Sequence, residues 1–432
     1  MTSAQDVSRL SAFSTTVEYV AQFYPLWFTY NQSRFATHNR LIGPEKVTPL
    51  YHIVVAINVD TLYASTFLEL EAEPVVLTIP ETTVSYSMLM LDPYCDIFQT
   101  TIPSATAGTY ALIGPGGYTG TLPSGVTAVE MPLNFCVLIF RADKYTSSGQ
   151  DMMSEAEEFR KALKLQPLSG YTSDPSGGGA VVAPEVVFAI PYKTIADNLV
   201  KVNPINFLRQ LQTAVASSNT PTLSPDAQAL SDHFNGLFGN GSAKHDEFAA
   251  GAQAGHTLIV DNYLSNTGKT NWINFTNIGA WGDNVVDRSS ITEFIQYGNG
   301  YPTSAYFHAF KDYDGAPLDG NNSEGYVLTF RPDKIPQAKR FWSLTAYTPN
   351  SIELIENPSD VYDVASYTPG LVTDQDGSIS IYIARERPQN VPEANWLPVS
   401  SRHFNIMLRV YGPEGTVLDQ TYVPPGIRRK KV

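Results

Sequence analysis

Side chains suited to acid–base chemistry are concentrated in the stretch Tyr51–Tyr63. A strand with a two-residue period places one set on a largely apolar face: Ile53, Val55, Ile57, Val59 and Thr61. The opposite face then carries His52, Asn58 and Asp60. Because a carboxylate near an amide and an imidazole can act as a general base or orient one, we interpret these three as candidate catalytic residues. The alternative is that Asp60 and Asn58 cap the following turn or satisfy backbone donors.

Aromatic residues make up 12% of the chain, which suits a pocket for an apolar small molecule. Most aromatic side chains belong in protein cores, but a few hydroxyl groups in such a pocket can fix a ligand's orientation. We expect Tyr63, Tyr306 and Trp396 to contribute to substrate binding, with Arg288 as an anchor for a carboxylate or carbonyl oxygen. The alternative for Trp396 is a plug at the end of the C-terminal domain.

The signatures of common cofactor and nucleophile sites are absent from the sequence. It has no G-x-G-x-x-G after a strand, no G-x-x-x-x-G-K-S/T and no G-x-S-x-G. Its seven histidines form no H-E-x-x-H or H-x-H pair. We therefore expect no cofactor and no bound metal.

Charge and hydropathy exclude two classes of partner. The net charge of −14 argues against nucleic acid, because phosphate binding needs clustered Lys and Arg. No apolar run approaches the ~20 residues that span a bilayer. Cys95 and Cys136 show no C-x-x-C spacing, and the N-terminus lacks the apolar core of a signal peptide. We therefore expect a cytoplasmic protein, with homo-oligomerisation left open.

The pattern along the chain changes from helix to strand, back to helix, and then to strand again. Residues 8–35 have a helical period, which Pro25 is expected to kink or end. In the last strand-like region, Arg409 alternates with apolar residues, so it is exposed or faces a polar cleft, and needs a carboxylate partner if buried. We predict four regions: an N-terminal helical segment (1–45), an N-terminal β domain (46–150), a helical connecting region (151–300) and a C-terminal β domain (301–432).

Two groups of motifs carry a family resemblance that runs from about residue 10 to residue 428. NVDTLYASTFLELEAEPVVLTIPE resembles the signature of the domain of unknown function numbered twelve fifty-four. RFWSLTAYTPNSIELIENPSDVY, DGSISIYI and LDQTYVPP resemble its usual partner, the domain numbered twelve fourteen. Val59 stands where the family usually has a polar residue, and Asp96 where it has Asn. The matched positions are Asn58, Asp60, Thr61, Tyr63, Arg141, Arg288, Trp342, Asn395 and Trp396.

The resemblance implies architecture more than chemistry. It implies an α+β, mainly β fold with a β-sandwich-like or barrel-like N-terminal domain, a helical middle segment and a jelly-roll-like C-terminal domain. The loop style is similar to that of filamentous-fungal members. The family implies little biochemical function, because its domains are named for lacking one.

Our leading functional hypothesis is a cofactor-independent enzyme of fungal secondary metabolism that acts on an apolar metabolite. A lyase or isomerase reaction fits best: cyclisation, a pericyclic step, isomerisation or dehydration. A shaped aromatic pocket accelerates such reactions by holding a reactive conformer. The alternatives are a non-catalytic ligand- or carbohydrate-binding or assembly module, and a hydrolase that uses Asp60 and His52 with water.

Overall fold

The structure is a computed structural model that describes residues 2–179, 181, 190–239 and 244–430. In these residues the helices are α1 Ala4–Val7, α2 Ala12–Ser33, α3 Met153–Ala162, α4 Leu168–Ser173, α5 Tyr192–Val202, α6 Pro204–Val215, α7 Pro225–Gly239, α8 His245–Ser265, α9 Val285–Phe294 and α10 Gly415–Leu418. Two short 3-10 helices are Pro332–Lys334 and Glu393–Asn395. The strands are β1 Thr61–Glu69, β2 Val75–Ile79, β3 Tyr86–Leu91, β4 Gly108–Ile113, β5 Thr127–Glu130, β6 Phe135–Asp143, β7 Lys164–Pro167, β8 Trp272–Ile273, β9 Ser304–Ala309, β10 Tyr326–Phe330, β11 Ala338–Tyr347, β12 Asp363–Ala365, β13 Ile379–Ala384, β14 Trp396–Pro398, β15 Asn405–Pro413 and β16 Arg428–Arg429.

The first two sheets form a sandwich, called here the N-terminal sandwich. One sheet has the strand order β1-β6-β3 and the other the order β5-β4-β2-β7. Because side chains alternate along a strand, Leu62 of β1 and Leu138 of β6 point into the sandwich core, where they join Leu77 and Leu112 of the other sheet. The intervening residues of β1 and β6 therefore face away from that core.

Two later sheets form the C-terminal sandwich. A five-stranded sheet has the order β12-β11-β15-β9-β8, and a four-stranded sheet has the order β14-β13-β10-β16. The core between them contains Leu344 and Leu408 from the first sheet and Ile381 from the second. In the five-stranded sheet, Arg409 of β15 lies opposite Tyr306 of β9 and Ser343 of β11. The polar face of this sheet is thus the face turned away from the sandwich core.

The helical layer, formed by α2, α6, α7, α8 and α9, packs against the outward faces of both sandwiches. A single hydrophobic cluster joins Phe23 and Tyr24 of α2 to Tyr63 of β1 and Tyr306 of β9. The predicted α+β, mainly β fold is confirmed, and none of the four sheets in the described residues closes into a barrel. Among the described helices, none combines the length and apolar character needed to cross a membrane.

Pro25 lies inside α2, which continues to Ser33, so an end of the helix at Pro25 is wrong, while the alternative of a kink stays a prediction. Proline lacks the N–H that would bond the carbonyl four residues earlier. The structure supplies substitutes from α9: the Ser289 hydroxyl donates to the Ala21 carbonyl at 2.7 Å, and Arg288 donates to the Gln22 carbonyl at 2.8 Å. The contact with α9 therefore gives the Ala21 carbonyl the hydrogen-bond donor that α2 itself does not supply.

The predicted strand over Tyr51–Tyr63 is also wrong in its first ten residues, because β1 begins at Thr61. Ala56 has φ +54°, a left-handed conformation that interrupts an extended chain. Its N–H donates to the Ile352 carbonyl at 3.1 Å instead of to a neighbouring strand. Residues 55–60 of this segment are buried, which explains why its apolar residues imitate a strand pattern.

Candidate functional site

A cavity lies between the two sandwiches and the helical layer, and we call it the inter-sandwich pocket. Its free volume is about 70 Å³. Ile57 from the buried segment and Val137 and Ile139 from β6 supply apolar wall. Polar groups enter it from β1, β6, β9 and β15. A mostly apolar cavity with a few convergent polar groups is typical of a small-molecule site.

Two buried guanidinium groups face this pocket, Arg141 from β6 and Arg409 from β15. Arg141 donates to the Asn299 side-chain oxygen at 2.8 Å and to the Tyr297 carbonyl at 2.7 Å. Arg409 donates to the Ala56 carbonyl at 2.6 Å and, at 3.3 Å, to a threonine hydroxyl of β11. All four acceptors are neutral.

The two carbonyl groups that hold these arginines belong to residues in a strained conformation. Ala56 has φ +54° and Tyr297 has φ +60°, and neither is a glycine. A non-glycine residue in the left-handed region costs of order 1–3 kcal/mol and persists only where its surroundings enforce it. Both strained residues therefore serve to fix the guanidinium groups at the pocket wall.

Three tyrosine hydroxyl groups accompany the arginines: those of Tyr63, Tyr306 and Tyr411. Tyr411 accepts a hydrogen bond from the Asn58 amide at 2.7 Å, and Tyr306 accepts one from the Asn299 N–H at 2.9 Å. Each of these two hydroxyls keeps its own proton to donate elsewhere. The pocket thus gathers hydrogen-bond donors at one end.

The charges of these groups affect one another. Burial lowers the pKa of Arg141, but Tyr63, Tyr306 and Tyr411 outweigh it and the net shift is upward. Burial raises the pKa of Tyr411 well above its usual value, and its neighbouring tyrosines add to that shift against the opposing effect of the two arginines. At neutral pH the site therefore presents guanidinium cations and a protonated phenol. No Asp, Glu, His, Cys or Lys belongs to the described lining of this pocket.

Asp60 lies immediately before β1 and is fully buried, as expected for a residue that contacts polar groups rather than bulk water. Its two oxygens accept hydrogen bonds from Ser343, at 2.6 Å, and from the Tyr367 hydroxyl. Asp363 lies beside it; burial first, and then the charge of Asp60, raise the pKa of Asp363 well above its usual value. Asp60 is therefore part of a buried contact between the sandwiches and does not line the pocket.

Of the seven residues predicted from the sequence, the structure places Asn58, Tyr63 and Tyr306 in the pocket lining. His52 is paired with Glu353. The described residues show no hydrogen bond or ion pair between His52 and Asp60. The roles assigned to these residues stay predictions.

The other two predicted binding residues lie elsewhere. Arg288 stacks on the ring of Tyr94 at 4.3 Å and pairs with Asp96 at 3.5 Å, in addition to its bond to α2. Trp396 in β14 donates to the Ala384 carbonyl at 2.9 Å and lines a separate shallow cleft. In this structure Arg288 supports a helix contact and Trp396 a sheet edge.

Sequence reasoning assigned no binding role to Arg141, Arg409 or Tyr411. A signal was present, because Arg409 and Tyr411 occupy alternate positions within the largely apolar part of their strand, and Arg141 is one of the matched family positions. What the sequence could not supply was the knowledge that the outward faces of two distant sheets meet.

A second polar group, the ion-pair cluster, joins α5, α8 and α9 and consists of Lys193, Asp197, His256 and Glu293. It lies beside a larger cavity with a free volume of about 640 Å³. Asp197, His256 and Glu293 each offer one ligand atom, all within 4.8 Å of one another, so these three could hold a metal ion. However, the Lys193 ammonium group lies 2.9 Å from Asp197 and contacts Glu293. The cluster already contains a cation of its own, and the expectation of no metal stays a prediction.

Comparisons with known proteins give a family but no activity. Among solved structures, the VPA0106 protein from Vibrio parahaemolyticus matches with a TM-score of 0.62 and 18% identity, over 98% of this chain and 100% of that one, which shows a shared fold. An uncharacterised protein from Burkholderia cenocepacia matches with a TM-score of 0.46 and 15% identity, over 98% and 94%. No curated protein matches the chain. The expected fungal type and cytoplasmic location stay predictions.

Family models match both sandwiches. The model described as a protein of unknown function, DUF1254, matches residues 38–167, and the model described as a protein of unknown function, DUF1214, matches residues 303–415. The first range contains the N-terminal sandwich and the second most of the C-terminal one. The chain therefore belongs to the two-domain family in which a DUF1254 domain precedes a DUF1214 domain.

Proposed function

We propose that this protein is an enzyme that rearranges a small, largely apolar metabolite in the inter-sandwich pocket. One observation carries the proposal: guanidinium groups and tyrosine hydroxyls converge on one end of a pocket whose remaining wall is mainly apolar. Such a site can hold an apolar body and an oxygen-bearing head group at once.

The reaction class follows from which groups are present. Fixed hydrogen-bond donors in a water-poor site stabilise negative charge that develops on a substrate oxygen. Neither a carboxylate nor an imidazole from the described lining is available to remove a proton there. We therefore favour reactions in which the substrate rearranges its own bonds, namely isomerisation, cyclisation or a pericyclic step, with the pocket holding the reactive conformer.

A binding module is the second candidate, because the same donors would hold a ligand without converting it. The hydrolase alternative is less favoured, since Asp60 and His52 each have other partners and are not joined to one another. Conversion of the ligand is the property that separates an enzyme from a binding module.

Gene deletion followed by metabolite analysis tests the proposal. We expect one metabolite to accumulate in the deletion strain and the purified protein to convert it to the compound that the deletion strain lacks. If the protein binds the accumulated metabolite but leaves it unchanged, the binding module is correct. If no metabolite accumulates and none is bound, the proposal is wrong.

A further inference from the structure

Most of the buried Lys and Arg side chains in the described residues contact a carboxylate, but the two that line the pocket do not. Five Lys and Arg residues are buried in the described part of the chain: Arg141, Arg160, Lys193, Arg288 and Arg409. Three of them contact a carboxylate: Arg160 pairs with Glu157 at 2.7 Å, Lys193 pairs with Glu293, and Arg288 pairs with Asp96.

The two remaining buried cations are the pocket residues Arg141 and Arg409. Within the described residues, neither has a carboxylate oxygen within 4.0 Å, and both donate only to neutral acceptors. Burial lowers the pKa of Arg409, but Tyr347 and Tyr411, and then the charge of Asp60, raise it; the Asp60 oxygens bond Ser343 and Tyr367 and not Arg409. A buried charge without a contacting partner is strongly unfavourable, so a countercharge is expected at this place.

We propose that the pocket binds a monocarboxylate, with the carboxylate group held between Arg141 and Arg409 and the apolar body against the β6 wall. This inference deepens the proposed function and rests on the same pocket. It names the substrate or product class: an organic acid whose remaining surface is largely apolar.

The donors at the pocket end are of the kind that a carboxylate accepts. A carboxylate has two oxygens that accept several hydrogen bonds, and guanidinium groups bind it with directional N–H donors. Each arginine has five N–H donors, of which the protein acceptors named above engage only some, so both arginines keep donors for a ligand. The hydroxyls of Tyr306 and Tyr411, which accept bonds from Asn299 and Asn58, have protons that can complete the shell.

The test uses acetate, which is a small carboxylate. Thermal unfolding is measured in sodium acetate, in sodium chloride at equal ionic strength, and in acetamide, the neutral analogue of the same shape. We expect acetate to raise the Tm of the wild-type protein in a concentration-dependent manner and beyond both controls, because a ligand that binds only the folded state stabilises it.

Variants locate the effect. Arg409→Met and Arg141→Met should lose the acetate response, with acetate affinity weakened at least about tenfold. Arg409→Lys keeps the charge and should retain part of the response, and it serves if a methionine variant does not fold. Arg160→Met is the matched control, since Arg160 is equally buried but lies outside the pocket, and it should keep the full response.

Equal effects of acetate and acetamide on the wild-type protein would overturn the inference, as would an acetate response that survives both methionine variants. The outcome is separable from that of the proposed function. If the protein converts the metabolite that accumulates on gene deletion, and this metabolite has no carboxyl group, the carboxylate inference is wrong and the proposed enzyme activity is supported. If the protein responds specifically to acetate but converts no metabolite, the carboxylate site is supported and the proposed enzyme activity is wrong.

Discussion

Tyr411 is the pocket residue whose substitution tests the proposed chemistry most clearly. Its hydroxyl accepts from Asn58, its pKa stays far above neutrality, and its proton is free to reach a substrate oxygen. Tyr411→Phe removes this donor and keeps the ring, so we expect turnover to fall about 10- to 100-fold. Steady-state kinetics on the accumulated metabolite measure the effect.

Tyr422→Phe is the matched control for this prediction. Tyr422 is also buried and its hydroxyl donates to the Lys334 carbonyl at 2.7 Å, away from the pocket. The control should lower stability and leave turnover within about twofold of wild type. Equal turnover in both variants would remove Tyr411 from the mechanism.

Asp60 is expected to contribute to stability. Asp60→Asn keeps the shape but replaces one acceptor oxygen by an N–H₂ group that faces a hydroxyl donor, so we expect the free energy of unfolding to fall by about 1–3 kcal/mol. Asp363→Asn should cost less, because the raised pKa of Asp363 favours its neutral carboxyl form, which an amide resembles. Urea unfolding of both variants measures the difference. A loss of turnover in Asp60→Asn at unchanged stability would instead support the acid–base role.

Individual site residues could be predicted only where a local pattern identified them. Asn58 was selected because it shares a face with Asp60 in the predicted strand, and Tyr63 was selected as an aromatic residue of the same segment. Arg409 was recognised as needing a partner, but whether a carboxylate lies near it depends on residues far away in the chain. The left-handed conformation of Ala56 could not be foreseen either, since alanine has no local preference for it.

At the scale of elements, the contact between α2 and α9 shows how a proline is accommodated. Pro25 cannot bond the Ala21 carbonyl, and the Ser289 hydroxyl takes its place. Ser289→Ala should therefore cost about 1–3 kcal/mol of unfolding free energy, because it leaves a buried carbonyl without a donor.

The double-mutant cycle with Pro25→Ala makes this prediction specific. Pro25→Ala restores an N–H that can bond the Ala21 carbonyl within the helix. In that background Ser289→Ala should cost much less than in the wild type, and chemical denaturation of the four proteins gives the coupling. Additive losses would show that the serine does not replace the missing helix bond.

The periods in the sequence otherwise predict which segments are strands and which are helices. The predictions that failed have one cause. The segment before β1 and the helix around Pro25 both depend on tertiary contacts that override the local signal. A buried segment shows an apolar pattern similar to that of a strand, and a helix break can be repaired by a neighbouring helix. Neither of these effects of tertiary contacts can be predicted from the local sequence.

At the scale of the whole molecule, the ion-pair cluster ties three helices together and makes stability depend on pH. Burial alone lowers the pKa of His256, but Asp197 and Glu293 outweigh it and raise that pKa from 6.5 to about 9. A raised folded-state pKa gives stability that is present below pH 6.5 and lost as the pH rises to about 9. The shift corresponds to at most about 3 kcal/mol.

Comparison of wild type with His256→Gln across pH measures this contribution. We expect the difference in unfolding free energy to be largest near pH 6 and to shrink by pH 9.5. A difference that does not change with pH would mean that the His256 side chain acts through packing and not through its charge.

The two sandwiches and the helical middle could be predicted from patterns along the chain, whereas their arrangement could not. The pocket exists because the outward faces of β6 and β15 meet, and nothing in either strand alone specifies the other. Sequence reasoning selected Arg288 as the anchor, whereas Arg141 and Arg409 are the buried arginines that line the pocket, and the role of each stays a prediction.

A crystal structure of the protein with the metabolite that accumulates on gene deletion tests the central claim most directly. The account predicts that the metabolite occupies the inter-sandwich pocket, with its oxygen atoms about 3 Å from the guanidinium groups of Arg141 and Arg409. A ligand seated beside the ion-pair cluster, or one whose head group contacts neither arginine, would contradict it.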